Sequence, residues 1–180
     1  MAGIKAGREE CFQVLIERHQ LRVLGTITKM LGDEIEAEDL AQQVFVRVWK
    51  SAKRYVPSAQ FTTWLLTIMR NLVFNEMRRR QRFKLISGGV EFEEVMQTLK
   101  DLSTLSPSQK ILDWEMQEMI QAAIDQLPTP QRLALVLRRY EEMSYEEIAQ
   151  VLGASLPAVK SMLFRAREEL KRHLRRYLVG

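Results

Sequence analysis

The sequence predicts an all-α fold of two small helical domains joined by a flexible linker, with a helix-turn-helix in the C-terminal domain. Apolar side chains recur three or four positions apart through most of the chain, which is the helical period. Glycine and proline occur only 8 and 5 times in 180 residues, and they cluster between the apolar stripes. No segment carries a convincing β-hairpin signal. We place the domains at residues 1–85 and 110–180, with the linker at 86–109.

Three apolar stripes predict the main helices of the N-terminal domain. They run from Phe12 to Ile27, from Leu40 to Trp49, and from Phe61 to Leu72. Five acidic residues and no basic residue lie in the segment 33–39, at the predicted start of the second helix. A helix dipole favours negative charge at that end, so the acidic cluster supports this helix boundary.

Breaker residues mark the linker and the start of the C-terminal domain. Ser87-Gly88-Gly89 is expected to end the third helix, and the segment 103–108 is rich in turn residues. Residues 111–127 are amphipathic and are followed by Pro128-Thr129-Pro130, which stops that helix. The next helix is predicted to run to about Glu141.

Composition excludes several classes of protein. Cys11 is the single cysteine, so no internal disulfide can form, and the two distant histidines exclude a zinc site made of nitrogen and sulfur ligands. We identify no catalytic, cofactor-binding or metal-binding residues. Apolar runs are far shorter than the roughly 18 residues of a membrane span, and charge appears early at the N-terminus. We therefore expect no membrane insertion and a cytoplasmic protein.

Basic residues form two separate segments. Residues 70–84 contain six bases and one acid, and residues 160–176 contain seven bases and two acids. Such segments are typical of contacts with a polyanion, but solvated helix surfaces have the same composition. Charge alone leaves both interpretations open.

The segment 144–163 has the local signals of a helix-turn-helix. Ser144 and Glu147 form the pattern of a capping box, which opens a short helix. Gly153 is expected to end that helix with a positive φ angle. Ser155 can cap the following helix, and Pro157 falls in its first turn, where the missing N–H is tolerated. Helix, glycine turn and helix together predict the motif.

The second helix of such a motif can lie in the major groove of DNA. Lys160, Ser161, Phe164 and Arg165 would then face base edges, while Arg167 and Lys171 would follow the phosphates. The alternative is a helical hairpin with solvated basic side chains, in which Phe164 belongs to the core.

A second constellation combines aromatic, amide and basic residues on the third helix. Asn71 and Asn75 are four positions apart and therefore share a face. Aromatic stacking and a cationic track bind single-stranded nucleic acid, and polar groups recognise an exposed base. The loop 55–60 before the helix could form the wall of a pocket for such a base. Phe61, Trp64 and Leu65 also fit a simple core assignment.

Several of these motifs, taken in order, resemble the extracytoplasmic-function (ECF) sigma factors, the small two-domain specificity subunits of bacterial RNA polymerase. The resemblance rests on the segments 38–49 and 61–65, on Arg70-Asn71, on Leu127-Pro128 and on the segment 144–149. It covers nearly the whole chain. It implies a non-enzymatic protein that directs transcription initiation, binds promoter DNA as duplex and as single strands, and has an anti-sigma factor as a partner.

The resemblance also assigns residues to three surfaces. The residues expected to bind the clamp helices of the largest subunit of core RNA polymerase are Asp39, Gln42, Gln43, Phe45 and Trp49. Capture of the melted −10 element falls to Tyr55, Ser58, Ala59, Gln60, Trp64, Arg70, Asn71, Asn75, Arg78 and Arg79. Recognition of the −35 duplex falls to Lys160, Ser161, Phe164, Arg165 and Arg167.

Two functions from other classes fit parts of the sequence. The first is a dimeric helix-turn-helix repressor whose N-terminal half mediates oligomerisation or ligand binding. The second is a magnesium-dependent nuclease or hydrolase that uses the acidic cluster 33–39. The cluster stands at a helix start and lacks the glycine turn of a cation-binding loop, so the sequence disfavours the second.

Overall fold

The computed structural model describes residues 1–57, 60–86, 116 and 119–178. Within these residues the regular secondary structure is helical, which confirms the all-α class. Apart from Ile86, the predicted linker lies outside the described residues. A 3-10 turn spans Ala52–Arg54 and residues 119–125 are helical. The helices with defined bounds are α1 (Ala2–Lys5), α2 (Glu9–Leu31), α3 (Glu34–Ser51), α4 (Phe61–Ile86), α5 (Thr129–Arg139), α6 (Tyr145–Leu152) and α7 (Leu156–Leu178).

The N-terminal half is a bundle of α2, α3 and α4, each of which packs against the other two. The apolar stripes of the sequence face its centre. Val23 and Ile27 of α2, Val44 of α3, and Leu65 and Met69 of α4 have no exposed surface. The structure thus confirms the three helical stripes and the faces that they bury.

A glycine turn connects α2 to α3. Gly32 adopts a left-handed conformation, with φ of 68°, and its N–H donates to the Thr28 carbonyl at 2.8 Å. The next residue, Asp33, caps α3 by accepting from the Glu36 N–H at 3.0 Å. Because Asp33 caps the helix, one carboxylate of the acidic cluster has a structural role.

The C-terminal half contains the helix-turn-helix, formed by α6 and α7. Both hydrogen bonds of the capping box are present: Ser144 Oγ accepts from the Glu147 N–H at 3.2 Å, and Glu147 accepts from the Ser144 N–H at 2.8 Å. Gly153 ends α6 with φ of 63°. Ser155 Oγ accepts from the Ala158 N–H at 3.3 Å at the start of α7. Each of these features agrees with the sequence prediction.

The two halves pack directly against each other. Helix α2 contacts α5, and α4 contacts both α5 and α6. Buried residues of the two halves, from Ile4 to Leu163, form one continuous hydrophobic cluster. The sequence did not predict this contact, because apolar stripes specify which face of a helix is buried but not which helix covers it.

The capping box gives a direct test of the helix-turn-helix geometry. We expect Ser144→Ala to lower the free energy of unfolding by about 1 kcal/mol, because it removes the acceptor for the Glu147 N–H. Urea denaturation followed by circular dichroism measures this change. Ser161→Ala, at an exposed position inside α7, is the matched control and should leave stability within about 0.5 kcal/mol of wild type. Equal losses in the two variants would contradict a capping role.

Candidate nucleic-acid interface

Helix α7 presents the predicted −35 residues to solvent. Lys160, Ser161, Arg165 and Arg167 are exposed, and Phe164 is 66% exposed. The apolar side of the same helix is buried through Val159, Leu163 and Ala166. The exposure of Phe164 excludes the core alternative for this residue in the described conformation. The helix therefore offers a polar and cationic face with an accessible aromatic ring.

Helix α4 carries a second polar row. Asn71, Asn75, Arg78 and Arg79 are exposed, and Trp64 is partly buried. Successive members of the row Trp64, Asn71, Asn75 and Arg78 are seven, four and three residues apart, so these side chains share one face. A groove on this face is lined by Asn75, Arg78, Gln81 and Arg82. Amide and guanidinium groups thus line an open track along the helix.

Some side chains of this polar row, and Arg70 beside it, form hydrogen bonds within the protein. Nε and Nη2 of Arg70 donate to Oδ1 of Asn71 at 3.1 and 2.6 Å. Arg79 donates to both carboxylate oxygens of Glu76, at 2.8 to 3.1 Å, and this hydrogen bonding raises the pKa of Arg79. Both pairs are at the surface, where such pairs are weak and nucleic acid can compete for the cation.

Arg80 has a structural role within the same basic segment. Its Nη1 donates to the Leu31 carbonyl at 2.8 Å, and its Nε donates to Glu36 at 3.0 Å. Within the segment 70–84, Arg80 is therefore engaged inside the protein, because its guanidinium joins the end of α2 and the start of α3 to α4.

An aromatic cluster fixes both ends of the loop 55–60. Tyr55 is 8% exposed and its ring lies edge-on to Trp64, with centroids 4.8 Å apart. Phe61 lies 5.8 Å from Trp64 and 5.2 Å from His19. Gln60 is exposed. Ser58 and Ala59 lie outside the described residues. Leu65 has no exposed surface and is a core residue, as the simple core assignment predicts. Trp64 is only partly buried.

His19 packs beside this cluster on α2. Burial lowers the pKa of His19 below its ordinary value of 6.5, and the positive charges of Arg22 and Arg18 lower it further. A neutral imidazole is therefore favoured against the Phe61 ring.

Helix α3 offers the surface that the sequence assigned to polymerase binding. Asp39, Gln42 and Gln43 are exposed along it. Phe45 is 6% exposed and belongs to the core, and Trp49 packs on Phe12 with ring centroids 4.9 Å apart. The two aromatic residues therefore support the helix from inside, and the accessible surface combines the polar side chains with the exposed apolar side chains of Ile35 and Val46.

Comparison with known proteins decides the family. The profile for Sigma-70 region 2 matches residues 15–83, and that for Sigma-70, region 4 matches residues 117–170. The RNA polymerase sigma-H factor of Pseudomonas aeruginosa is 33% identical over 175 residues, covering 95% of this chain and 90% of that protein. The chain belongs to the ECF sigma factors of the sigma-70 family. The ECF sigma factor SigW of Bacillus subtilis is 27% identical over 96% of this chain and 93% of its own length.

Solved structures share the fold of this sigma factor. Sigma factor RpoE of Bartonella quintana, in complex with the anti-sigma factor NepR, matches with a TM-score of 0.70 and 24% identity over 92% of this chain and 98% of that chain. CnrH, in complex with the cytosolic domain of CnrY, matches with a TM-score of 0.67 and 24% identity over 96% and 93% of the two chains.

Family membership settles the alternatives for the N-terminal half. This half is sigma region 2, so the chain is an RNA polymerase sigma factor and the dimeric repressor was the wrong alternative. In the part of the chain that the structure describes, no helix is long and apolar enough to cross a membrane.

Sequence reasoning missed the charged residues that join the two halves. Nη1 of Arg132 donates to the Met30 carbonyl at 2.7 Å and lies 2.9 Å from a carboxylate oxygen of Asp125, and Arg132 is 4% exposed. Burial lowers the pKa of Arg132, and the negative charge of Asp125 opposes that shift. One signal was present in the sequence: Arg132 lies four residues before Val136, on the apolar side of α5.

The environment of His19 predicts a pH-dependent stability. Because its pKa is lowered in the folded state, the unfolded chain binds more protons at this residue, and stability should fall as the pH drops below about 6.5. Replacing the imidazole in His19→Gln should reduce the loss of thermal stability between pH 7.5 and 5.5. Melting temperatures of both proteins across this range measure the difference. An unchanged pH dependence in the variant would contradict the assignment.

Proposed function

We propose that this sigma factor acts through three separate surfaces. It binds core RNA polymerase through the exposed face of α3, recognises duplex −35 DNA through α7, and captures unpaired −10 bases through α4 and the loop before it. It catalyses no reaction itself, and it acts in the cytoplasm, where bacterial RNA polymerase is found.

The exposed row on α7 is the observation that supports the proposal most strongly. Five side chains able to contact DNA lie in the N-terminal half of α7, which is the part of the helix that enters the major groove in this motif. Guanidinium and ammonium groups there can donate to guanine acceptors, and the Phe164 ring can contact a thymine methyl group. Arg167 lies further along the helix, where it can contact the phosphate backbone.

The α4 face supports capture of single-stranded bases. Asn71 and Asn75 present amide groups that can hydrogen-bond to the edge of an unstacked base, and Arg78 and Arg79 can follow the backbone. The partly exposed Trp64 offers a ring for stacking near the loop. Unpairing a base costs a few kcal/mol, and binding of the released base at this face offsets that cost.

Polymerase binding is assigned to α3 because its exposed residues include Asp39, Gln42 and Gln43, close to the acidic start of the helix. A basic partner surface would complement this charge. An anti-sigma factor is the expected regulator, since two structural neighbours were solved in complexes: RpoE with the anti-sigma factor NepR, and CnrH with the cytosolic domain of CnrY.

The α7 assignment predicts loss of duplex binding. Each good base contact is worth about 1–3 kcal/mol, so Lys160→Ala with Arg165→Ala should weaken binding to a −35 duplex at least about thirtyfold. Fluorescence anisotropy at several salt concentrations measures the affinity. Arg8→Ala with Arg18→Ala removes the same charge from exposed positions in the other half and should retain most of the affinity. If both double variants bind equally well, α7 does not recognise the −35 element.

The α4 assignment predicts a defect in strand separation. Asn71→Ala should reduce open-complex formation by about tenfold, because it removes a hydrogen-bonding group from the base-binding face. Permanganate footprinting with core polymerase measures the unpaired thymines, and a pull-down measures polymerase binding, which should be unchanged. Gln20→Ala, another exposed amide, is the control. Equal loss of polymerase binding and melting would instead indicate a folding defect.

A further inference from the structure

A polar cluster joins the two halves of the chain and takes no part in the DNA-binding surfaces. Glu141 lies between α5 and α6, and its side chain is only 9% exposed. One carboxylate oxygen accepts from Nε of Arg22, and the other accepts from the Thr26 hydroxyl at 2.7 Å. Nη2 of Arg22 also donates to the Glu141 carbonyl at 3.3 Å. We call Arg22, Thr26 and Glu141 the α2 latch.

The same face of α2 makes further contacts with the C-terminal half. Nζ of Lys29 lies 4.6 Å from the ring centroid of Tyr140, within cation–π range. The Met30 carbonyl accepts from the buried Arg132. These residues follow the latch residues of α2 at spacings of three and four, so they share its face. One side of α2 therefore contacts the C-terminal half.

The loop that contains Glu141 is conformationally strained. The next residue, Glu142, has φ of 54°, a left-handed conformation that side chains other than glycine adopt only at a cost. Such a conformation persists when its surroundings hold it in place. The hydrogen bonds of Glu141 to α2 supply part of that restraint.

Docking brings the two proposed DNA-binding surfaces together. A Cβ built on Gly153, in the turn of the helix-turn-helix, would lie 3.3 Å from Nη1 of Arg70. Arg70 belongs to the proposed −10 surface, and Gly153 lies three residues before the helix proposed for −35 recognition. In this arrangement one residue of the proposed −10 surface lies directly against the turn of the helix-turn-helix.

Promoter geometry requires a much larger separation. The nominal positions −35 and −10 differ by about 25 base pairs, which is about 85 Å along B-form DNA at 3.4 Å per base pair. About thirty residues connect α4 to the helical residues at 119–125, and a chain of that length can span up to about 100 Å. The covalent connection allows the separation, whereas the docked arrangement prevents it.

We propose that the α2 latch holds the free sigma factor in a closed state, and that the latch must break before one molecule can bind both promoter elements. The effect of the latch on promoter binding rests on the proposed function. The closed state itself can be measured in the absence of DNA and polymerase.

Small-angle X-ray scattering of the full chain tests the closed state. Wild type should be compact, with a radius of gyration of about 16–18 Å. Glu141→Arg places a second cation beside Arg22, and we expect the radius of gyration to rise above about 20 Å because the open state becomes the major population. Arg22→Glu combined with Glu141→Arg restores an opposite-charge pair and should return the radius to the wild-type value.

Controls separate opening from misfolding. Glu142→Arg makes the same charge change at the adjacent, exposed residue and should stay compact. Circular dichroism should show that the Glu141→Arg variant keeps its helices. If Glu141→Arg stays compact, or if the charge-swapped protein stays expanded, the latch proposal is overturned.

A second readout connects the latch to promoter binding. With core polymerase, Glu141→Arg should reach half-maximal open-complex formation at a sigma concentration several-fold lower than wild type. An expanded variant without this gain would overturn the claim that the latch opposes promoter binding. Absence of promoter-specific initiation by wild type would instead refute the proposed function.

Discussion

The carboxyl end of α2 is the point at which the parts of this structure meet. The last four carbonyls of a helix have no partner within it. Here the Thr28 carbonyl accepts from the Gly32 N–H, and the next three accept from side chains of Gln121, Arg132 and Arg80, in that order. Two of these donors come from the C-terminal half and one from α4. Positive charge at this end also complements the helix dipole. One helix terminus therefore ties together both halves of the sigma factor.

The positive charges of the chain divide into two groups with different roles. Arg132 and Arg80 bind backbone carbonyls and carboxylates inside the protein, where a charge without partners would be costly. Lys160, Arg165 and Arg78 are exposed and available for DNA. Net charge therefore says little about the DNA-binding surface. What matters is which cations the fold leaves exposed, and Lys160, Arg165 and Arg78 are exposed on the faces of α7 and α4 that are proposed to bind DNA.

The sequence was sufficient for local structure and for the helix-turn-helix. The Ser144 capping box and the Gly153 turn could be predicted because each depends on residues only a few positions apart. The stripes of α2, α3 and α4 followed from helical periodicity. The pairing of Arg22 with Glu141 could not be predicted, because it joins residues more than one hundred positions apart and surface charges have no periodicity that identifies partners. Phe45 shows the same limit: family resemblance placed it at the polymerase surface, whereas packing buries it.

The central claim is that the two halves share one core and are docked in the free protein. Differential scanning calorimetry tests this claim directly, because it compares the measured enthalpy of unfolding with the van't Hoff enthalpy of the same transition. A shared core predicts one cooperative transition in which the two enthalpies agree. Two transitions, or a calorimetric enthalpy near twice the van't Hoff value, would show that the halves unfold independently and would contradict the account.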